Sequence, residues 1–509
     1  MKKLLLVFLI IFSTFSLGFS DQAIKPQRLD NDPKIIAYGL VKSPNIFYPK
    51  LLKFADSIYP GIGEMIEQQV APVKTILNSA TSIGFVVYAN ETFQQDPVIG
   101  IFIEAKEKSV FDNPVLGQLP EKELVDNTMI ISFVPGYLAK FKILQKSINS
   151  IKSQNDIEVY IDFKNITKLN EASIISDMPG SLDIFYQFEM LAITMNILDL
   201  GIESSACLIA TEKSNLQKML NQKGLEAPSQ LELLGDGNFS YSFSSIDLTK
   251  CKGFIQDIFK MAIQLPKMSD VDKKHLQSLE SILLDFCSNE LITCASIFSF
   301  STEIQSKMAF KLKEPNKFIQ NLKLLTKELN EVDLNGGKNN LDKNVSNNYS
   351  WTEAQNINKF QVYKLSNLKN DKKYEPDPRS TLFEVMINYS YLPKEYYLLA
   401  NSEYCFVASS FESLKEIIDN LDSKSKQKIK CESFNYFKNG YSIYADTYFD
   451  GYIKLFESIL KIKLEKLLNL NLPPFKTAIK LDGNLTVKTF IEKETIAKII
   501  LKIQELYAK

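Results

Sequence analysis

The chain has 509 residues, of which 45% are hydrophobic and 23% are charged, a balance typical of a globular protein with a large core. Its 59 basic and 60 acidic side chains leave a formal net charge of −1, which excludes the basic footprint of a nucleic-acid-binding protein. The length predicts several domains.

The N-terminus, MKKLLLVFLIIFSTFSLGFSDQ, has the pattern of a secretory signal peptide. Lys2 and Lys3 form the positive region, an apolar run follows, and small residues near Ser20 offer a cleavage point. We therefore predict a signal peptide over 1–20, a linker over 21–33, and export to a periplasm or the extracellular space. The alternative is an uncleaved membrane anchor, although the run is short for a spanning helix. No later segment is long and apolar enough to span a bilayer, so we expect the mature protein to be soluble.

One local pattern recurs along the chain: a run with strand period, a few polar residues, then a stretch with helical spacing. It appears in IIAYGLVKSPNIF, MIISFVPGYLAKFKIL, EVYIDFKNITKL and YSIYADTYFDGYIKL. These pieces predict an α+β fold of repeated strand–helix–helix–hairpin–helix units, with mostly antiparallel sheets packed against helices. We interpret the repeat as an internal duplication, with halves over 34–230 and 236–509. Chance matching is the alternative, because any α+β protein shows some.

In the first half, the opening strand leads to helical stretches near 49–80 and to a hairpin with arms at 82–88 and 98–105. Residues 157–220 predict a strand, a helix near 182–197, a shorter hairpin and a final helix.

In the second half, the strand FSYSFS leads to helices at about 250–265 and 272–287, followed by the hairpin LITCASIFSF plus KMAFKLK. A polar insertion over 331–380 reads mostly as loop, with one strand at FQVYKL. The C-terminal part predicts a helix over 448–468 and a hairpin that turns at Asp482-Gly483.

Two strand-to-helix joints share the pattern Lys-x-Pro-Asn-x-Phe. Ser43 and Glu314 occupy the cap positions, and Pro44 and Pro315 fit the first helical turn, where no N–H is needed. Pro49 is predicted to interrupt or restart the first of these helices.

Candidate chemistry is sparse. One histidine, His275, lies beside the apolar face of a predicted helix, and we interpret it as a surface residue because one His cannot assemble a His-based metal site. A glycosidase needs two carboxylates across a cleft. Asp156, Asp162, Asp236 and Asp446 lie near strand ends or turns, where capping and turn roles are usual.

Other motifs are incomplete. The stretch 333–344 lacks the ligand alternation and closing Glu of a calcium loop, and GIGEM at 61–65 lacks the end of a P-loop. The aromatic stretch 387–399 is suited to line a ligand groove, but such residues more often belong to a core. We therefore predict no catalytic residue, no metal ligand and no cofactor, and the binding residues stay unknown.

Six cysteines in an exported chain permit disulfides. Cys287 and Cys294 form the nearest candidate pair, and Cys405 and Cys431 the next. We expect one or two bridges, and the alternative is buried free thiols.

The stretch LPKEYYLLANSEYCFVASSFESLKEIIDNL resembles large secreted bacterial proteins of uncharacterised function with internal α/β duplication. The resemblance concerns the pattern of strands and helices, and it transfers no functional residue and no catalytic family. We expect a non-catalytic binding or scaffold protein of the cell envelope. The alternatives are a carboxylate-based hydrolase of envelope polysaccharide and a carrier for an apolar ligand.

Overall fold

The computed structural model describes most of the chain from residue 34 onward, together with positions 29 and 32. The described ranges are 34–89, 97–151, 153, 155–171, 174, 181–225, 231–235, 239–264, 270–288, 292–300, 304–331, 349–367, 394–422, 431–438, 440–450 and 472–507. The predicted signal peptide, the stretch 333–344, Asp236 and most of the helix over 448–468 lie outside these ranges.

The chain divides into two compact units. The first comprises residues 1–177, 181–212 and 484–509, and the second comprises 178–180 and 213–483. The C-terminal segment thus belongs to the first unit, whereas the predicted halves, 34–230 and 236–509, place it in the second.

The described part of the first unit contains nine strands, numbered along the whole chain. They are β1 (Ile35–Lys42), β2 (Ala80–Tyr88), β3 (Val98–Ala105), β4 (Glu121–Val125), β5 (Thr128–Ser132), β6 (Ile157–Asp162), β7 (Phe188–Leu198), β8 (Gly201–Ala210) and, last in the chain, β18 (Leu485–Glu492). All neighbours pair antiparallel, in the order β4-β5-β3-β2-β1-β6-β7-β8-β18. This confirms the predicted antiparallel sheet.

The described part of the first unit also contains eight helices. They are α1 (Pro44–Ile58), α2 (Ile62–Val70), α3 (Lys74–Ser79), α4 (Pro114–Gly117), α5 (Leu138–Asn149), α6 (Phe163–Leu169), α7 (Leu182–Phe185) and, at the C-terminus, α15 (Lys493–Tyr507), with 3-10 turns at Ala71–Val73 and Lys108–Asp112.

Helix α5 covers one face of the sheet at close range. Its buried side chains include Phe141 and Ile148, which join one core cluster with Phe102 and Tyr38. A Cβ added at Gly84 would lie 2.5 Å from Ile148, and one at Gly100 would lie 2.8 Å from Phe141. The two glycines therefore let the helix approach the strands more closely than a side chain would allow. On the opposite face of the sheet, a second cluster packs strand residues such as Ile103 and Ile131 against α3, α4 and the 3-10 turn at Lys108–Asp112.

The described part of the second unit also contains nine strands. They are β9 (Ser240–Ile246), β10 (Ile292–Phe300), β11 (Ile304–Lys311), β12 (Tyr349–Glu353), β13 (Val362–Asn367), β14 (Glu395–Ala400), β15 (Tyr404–Ala408), β16 (Ile443–Thr447) and β17 (Phe475–Leu481). Their antiparallel order is β12-β13-β14-β15-β11-β10-β9-β16-β17.

The helices of the second unit are α8 (Asn215–Leu220), α9 (Leu231–Leu234), α10 (Lys252–Ile263), α11 (Asp270–Phe286), α12 (Pro315–Glu331), α13 (Phe411–Asp422) and α14 (Glu432–Phe437), with a 3-10 turn at Leu248–Cys251. Helix α12 packs Ile319 and Phe318 against strand residues such as Leu398 and Val407. Trp351 belongs to the same cluster, and its indole N–H donates to the Thr326 hydroxyl at 2.7 Å.

The two units share a strand order. In the first, β1 pairs with β2 and β6, β2 continues to β3 and β5, and β6 continues to β7. In the second, β9 pairs with β10 and β16, β10 continues to β11 and β15, and β16 continues to β17. A duplication predicts this agreement in strand order. The hairpin of β12 and β13 has no counterpart among the described strands of the first unit. The duplication itself stays a prediction.

The helix predicted near 182–197 is wrong. Helix α7 ends at Phe185, and Phe188–Leu198 forms β7, the longest described strand of its unit. Met190, Ala192 and Thr194 are buried at alternate positions, which is strand period. Met, Leu and Ala favour a helix locally, but pairing with β6 on one side and β8 on the other overrides that preference. The hairpin of β7 and β8 is consequently long, where a shorter one is predicted.

Two other local predictions are resolved. Helix α1 runs from Pro44 to Ile58 and passes through Pro49, so the predicted interruption does not occur. Ser43 holds the cap position with a φ of +46°, but its side chain makes no capping hydrogen bond. At the predicted turn, Gly483 has a φ of +94°, which few residues other than glycine adopt readily. No helix within the described ranges is both long and apolar enough to cross a membrane.

Candidate functional site

A pocket of about 420 Å³ opens in the first unit among α1, the end of β7 and the start of α15. This volume lies within the range usual for small-molecule sites. Its walls are largely apolar, and the side chains that form them are Ile46, Pro49, Phe54, Ile197 and Leu198. Ile46 is 65% exposed and Leu198 is 36% exposed, so part of this apolar surface faces solvent.

Charged side chains surround the apolar walls. Lys50, Lys53 and Lys493 line the pocket together with one acid, Asp199. Lys50 forms an ion pair with Asp156 at 2.6 Å. No acid among the described residues lies within ion-pair distance of Lys53 or Lys493. The pocket therefore presents a net positive charge beside an apolar surface.

Helix α1 supplies most of the pocket through one face. Ile46, Lys50, Lys53 and Ser57 are spaced by four, three and four residues, which places them along one side of an α-helix. The opposite side of the helix carries buried residues, among them Tyr48.

Asp156 connects the walls of the pocket. Its Oδ2 atom accepts both the Lys50 ammonium, at 2.6 Å, and the backbone N–H of Ile197, at 2.8 Å. The backbone N–H of Lys493 donates to the carbonyl of Leu200 at 2.8 Å, which joins α15 to the turn after β7. Hydrogen bonds thus fix the three parts of the pocket to one another.

The other two described carboxylates singled out from sequence also bond to backbone N–H groups. Asp162 caps α6 by accepting from the N–H of Asn165 at 2.8 Å. Asp446 is fully buried and accepts from the N–H groups of Glu432 and Ser433, at 2.6 and 2.8 Å, at the start of α14. Burial raises the pKa of Asp446, and these hydrogen bonds oppose the rise. The predicted capping role is confirmed for Asp162. Asp446 lies within β16 and bonds to the first turn of α14 from that strand, whereas the cap position of α14 is Cys431.

His275 lies on α11 beside its buried face, as predicted, and it has partners on α12. Its Nδ1 atom lies 3.0 Å from Glu328 and 3.7 Å from Glu331. Its side chain is only 21% exposed, so it is more enclosed than the predicted surface residue. The hydrogen bond to His275 is the main cause that lowers the pKa of Glu328.

No disulfide joins any of the six cysteines, so the expected one or two bridges are absent from the structure. Cys287, Cys405 and Cys431 are buried, and Cys294 is half-buried. Burial raises the pKa of Cys405 to about 12 and that of Cys287 to about 11. Thiols of this kind are poor nucleophiles at neutral pH.

No protein-family model, curated protein or solved structure matches the chain.

Sequence reasoning missed both groups of side chains. The signal for the pocket is the spacing of Ile46, Lys50 and Lys53, which places them on one side of a predicted helix. For the histidine, the signal is Glu328 and Glu331, three residues apart on a second predicted helix. Neither signal indicates which distant segment completes the group, because the partners are far apart in the chain.

Proposed function

We propose that this chain is an exported, non-catalytic binding protein of the cell envelope, and that the pocket beside α1 is its binding site. The ligand class is a small amphiphilic anion, an acyl chain that ends in a carboxylate or phosphate. One observation carries the proposal: the apolar walls adjoin two ammonium groups, those of Lys53 and Lys493, that have no acidic partner among the described residues.

The physical argument separates the two ends of the ligand. Ile46, Phe54 and Leu198 offer apolar surface to a hydrocarbon chain, at about 25 cal/mol for each Å² removed from water. Lys53 and Lys493 offer charge-assisted hydrogen bonds to the anionic end. The proposed function therefore combines two of the roles expected from the sequence, a binding protein and a carrier for an apolar ligand.

The carboxylate-based hydrolase has less support. Asp156, Asp162 and Asp446 each bond to backbone N–H groups, and no observation among the described residues favours a catalytic pair.

Calorimetric titration with dodecanoate, below its micelle concentration, tests the site. Dodecyltrimethylammonium keeps the chain but reverses the charge, and acetate keeps the carboxylate without the chain. We expect dodecanoate alone to bind with measurable heat. The substitution Lys53→Glu should weaken binding at least about tenfold, equivalent to about 1.4 kcal/mol. Lys108→Glu, at an exposed lysine elsewhere in the same unit, is the matched control and should bind as the wild type does. Equal affinity in Lys53→Glu and the wild type would refute the site.

Export has its own test. The pattern at the N-terminus predicts that the protein leaves the cytoplasm and that its first residue becomes Asp21. Cell fractionation with N-terminal sequencing measures both, and replacing Lys2 and Lys3 with Glu should retain the protein in the cytoplasm. Recovery of uncleaved wild-type chain from the cytoplasm would contradict the proposal.

A further inference from the structure

The second unit holds a group of metal-ligating side chains that the proposed function does not use. His275 on α11 meets Glu328 and Glu331 on α12, and one ligand atom from each lies within 4.8 Å of the other two. The group thus places two carboxylates beside one imidazole. Such a group is stabilised by a cation.

The two glutamates lie at the C-terminal end of a helix, where a bound cation is further stabilising. Both lie in the last turn of α12, which contains no basic residue. The C-terminus of a helix carries a partial negative charge, so carboxylates there are unfavourable and cations favourable. His275 approaches this end from the neighbouring helix.

The two helices hold the group in place. Ten residues along α11 from the histidine, Asp285 pairs with Lys317 at 2.8 Å and with the Asn321 amide at 2.6 Å. Phe286 and Phe318 meet edge to face near that end, with ring centroids 5.3 Å apart. The histidine and the glutamates therefore project from rigid elements that are packed together along their length.

The two distances from His275 are close to those between the ligands of a tetrahedral metal ion. Metal–ligand bonds of about 2.0–2.1 Å place neighbouring ligand atoms about 3.3 Å apart. The distances from His275 to the two carboxylates, 3.0 and 3.7 Å, lie on either side of that value. One imidazole and two carboxylates suit Zn²⁺ better than Mg²⁺ or Ca²⁺, which prefer oxygen ligands alone.

We propose that His275, Glu328 and Glu331 form a zinc site that joins α11 to α12. Three protein ligands leave a fourth position for water, and the half-exposed Glu331 gives access from solvent. The site lies within the second unit and does not depend on the pocket proposed above.

Zinc titration of the full chain, prepared without a polyhistidine tag, tests the site. The chain contains one histidine, so NMR of histidine labelled with ¹³C at Cε1 yields a single imidazole signal that reports on this position alone. One equivalent of Zn²⁺ should shift that signal, and millimolar Mg²⁺ should not reverse the shift.

The variants discriminate a site from incidental binding. Glu331→Gln should weaken zinc binding at least about tenfold, and its side chain is 47% exposed, so the fold should tolerate it. Glu280→Gln, on α11 outside the group, is the matched control and should bind as the wild type does. The proposal would be overturned if the imidazole signal did not shift with Zn²⁺, if Mg²⁺ reversed the shift, or if Glu331→Gln bound zinc with wild-type affinity.

Discussion

The buried carboxylate of Asp446 is expected to be a principal determinant of stability in the second unit. It is fully buried, and it accepts hydrogen bonds from the N–H groups of Glu432 and Ser433. The substitution Asp446→Ala removes these two bonds and a third, which the Ser433 hydroxyl donates to the same carboxylate, and it leaves the two N–H donors without this acceptor. A buried donor left unpaired costs about 1–3 kcal/mol.

The net effect is smaller than the sum of those losses. Asp446 is fully buried, so its charged form is partly desolvated and its pKa is raised. Removing the carboxylate recovers some of that desolvation cost. We expect Asp446→Ala to lower the free energy of unfolding by about 2–4 kcal/mol. Asp446→Asn keeps one acceptor oxygen and should lose less.

Urea unfolding followed by tryptophan fluorescence measures this loss. Trp351 is the one tryptophan of the chain and lies in the second unit with Asp446, so it reports on the unit that is perturbed. Asp162→Ala, which removes a helix cap in the first unit, controls for effects that are not local. A change below about 0.5 kcal/mol in Asp446→Ala, the usual effect of surface substitutions, would refute the reasoning.

Three further predictions concern packing, pH and thiol reactivity. Gly84→Ala should cost about 1–3 kcal/mol in chemical denaturation because its Cβ meets Ile148, and adding Ile148→Ala should cost less than the two single changes combined. Hydrogen bonding from Lys317 lowers the pKa of Asp285, so this ion pair stabilises the folded state above about pH 4. That stabilisation is lost as the pH falls through the folded pKa of Asp285. Thermal melts of Asp285→Asn should lack this pH-dependent loss of stability. Cys405 should resist a thiol reagent at pH 8 until the protein is unfolded, and rapid labelling of native Cys405 would contradict its burial.

Local pattern was a reliable guide where one strand or helix could be recognised alone. The apolar alternation of Ile35–Lys42 and the helical spacing of Asp270–Phe286 are visible in the residues themselves, and both elements form as predicted. Phe188–Leu198 shows the limit, because its residues suit a helix and only pairing with two neighbouring strands makes it β7.

The candidate sites were less predictable than the fold. His275 was visible as a lone residue, but its partners Glu328 and Glu331 follow after more than fifty residues of chain. Lys493 reaches the pocket beside α1 from the far C-terminus, because β18 pairs with β8 and brings α15 into the first unit.

By itself, the sequence determined the α+β class, most strand and helix positions and the residues that end them, since these depend on side-chain period, caps and turns within a few residues. Tertiary structure alone decided that β18 joins the first unit, that Asp156 links Lys50 to the end of β7, and that His275 faces two glutamates. These outcomes depend on pairing and packing between distant segments. The free energy of such contacts is realised only when the chain is folded, so no local pattern records it.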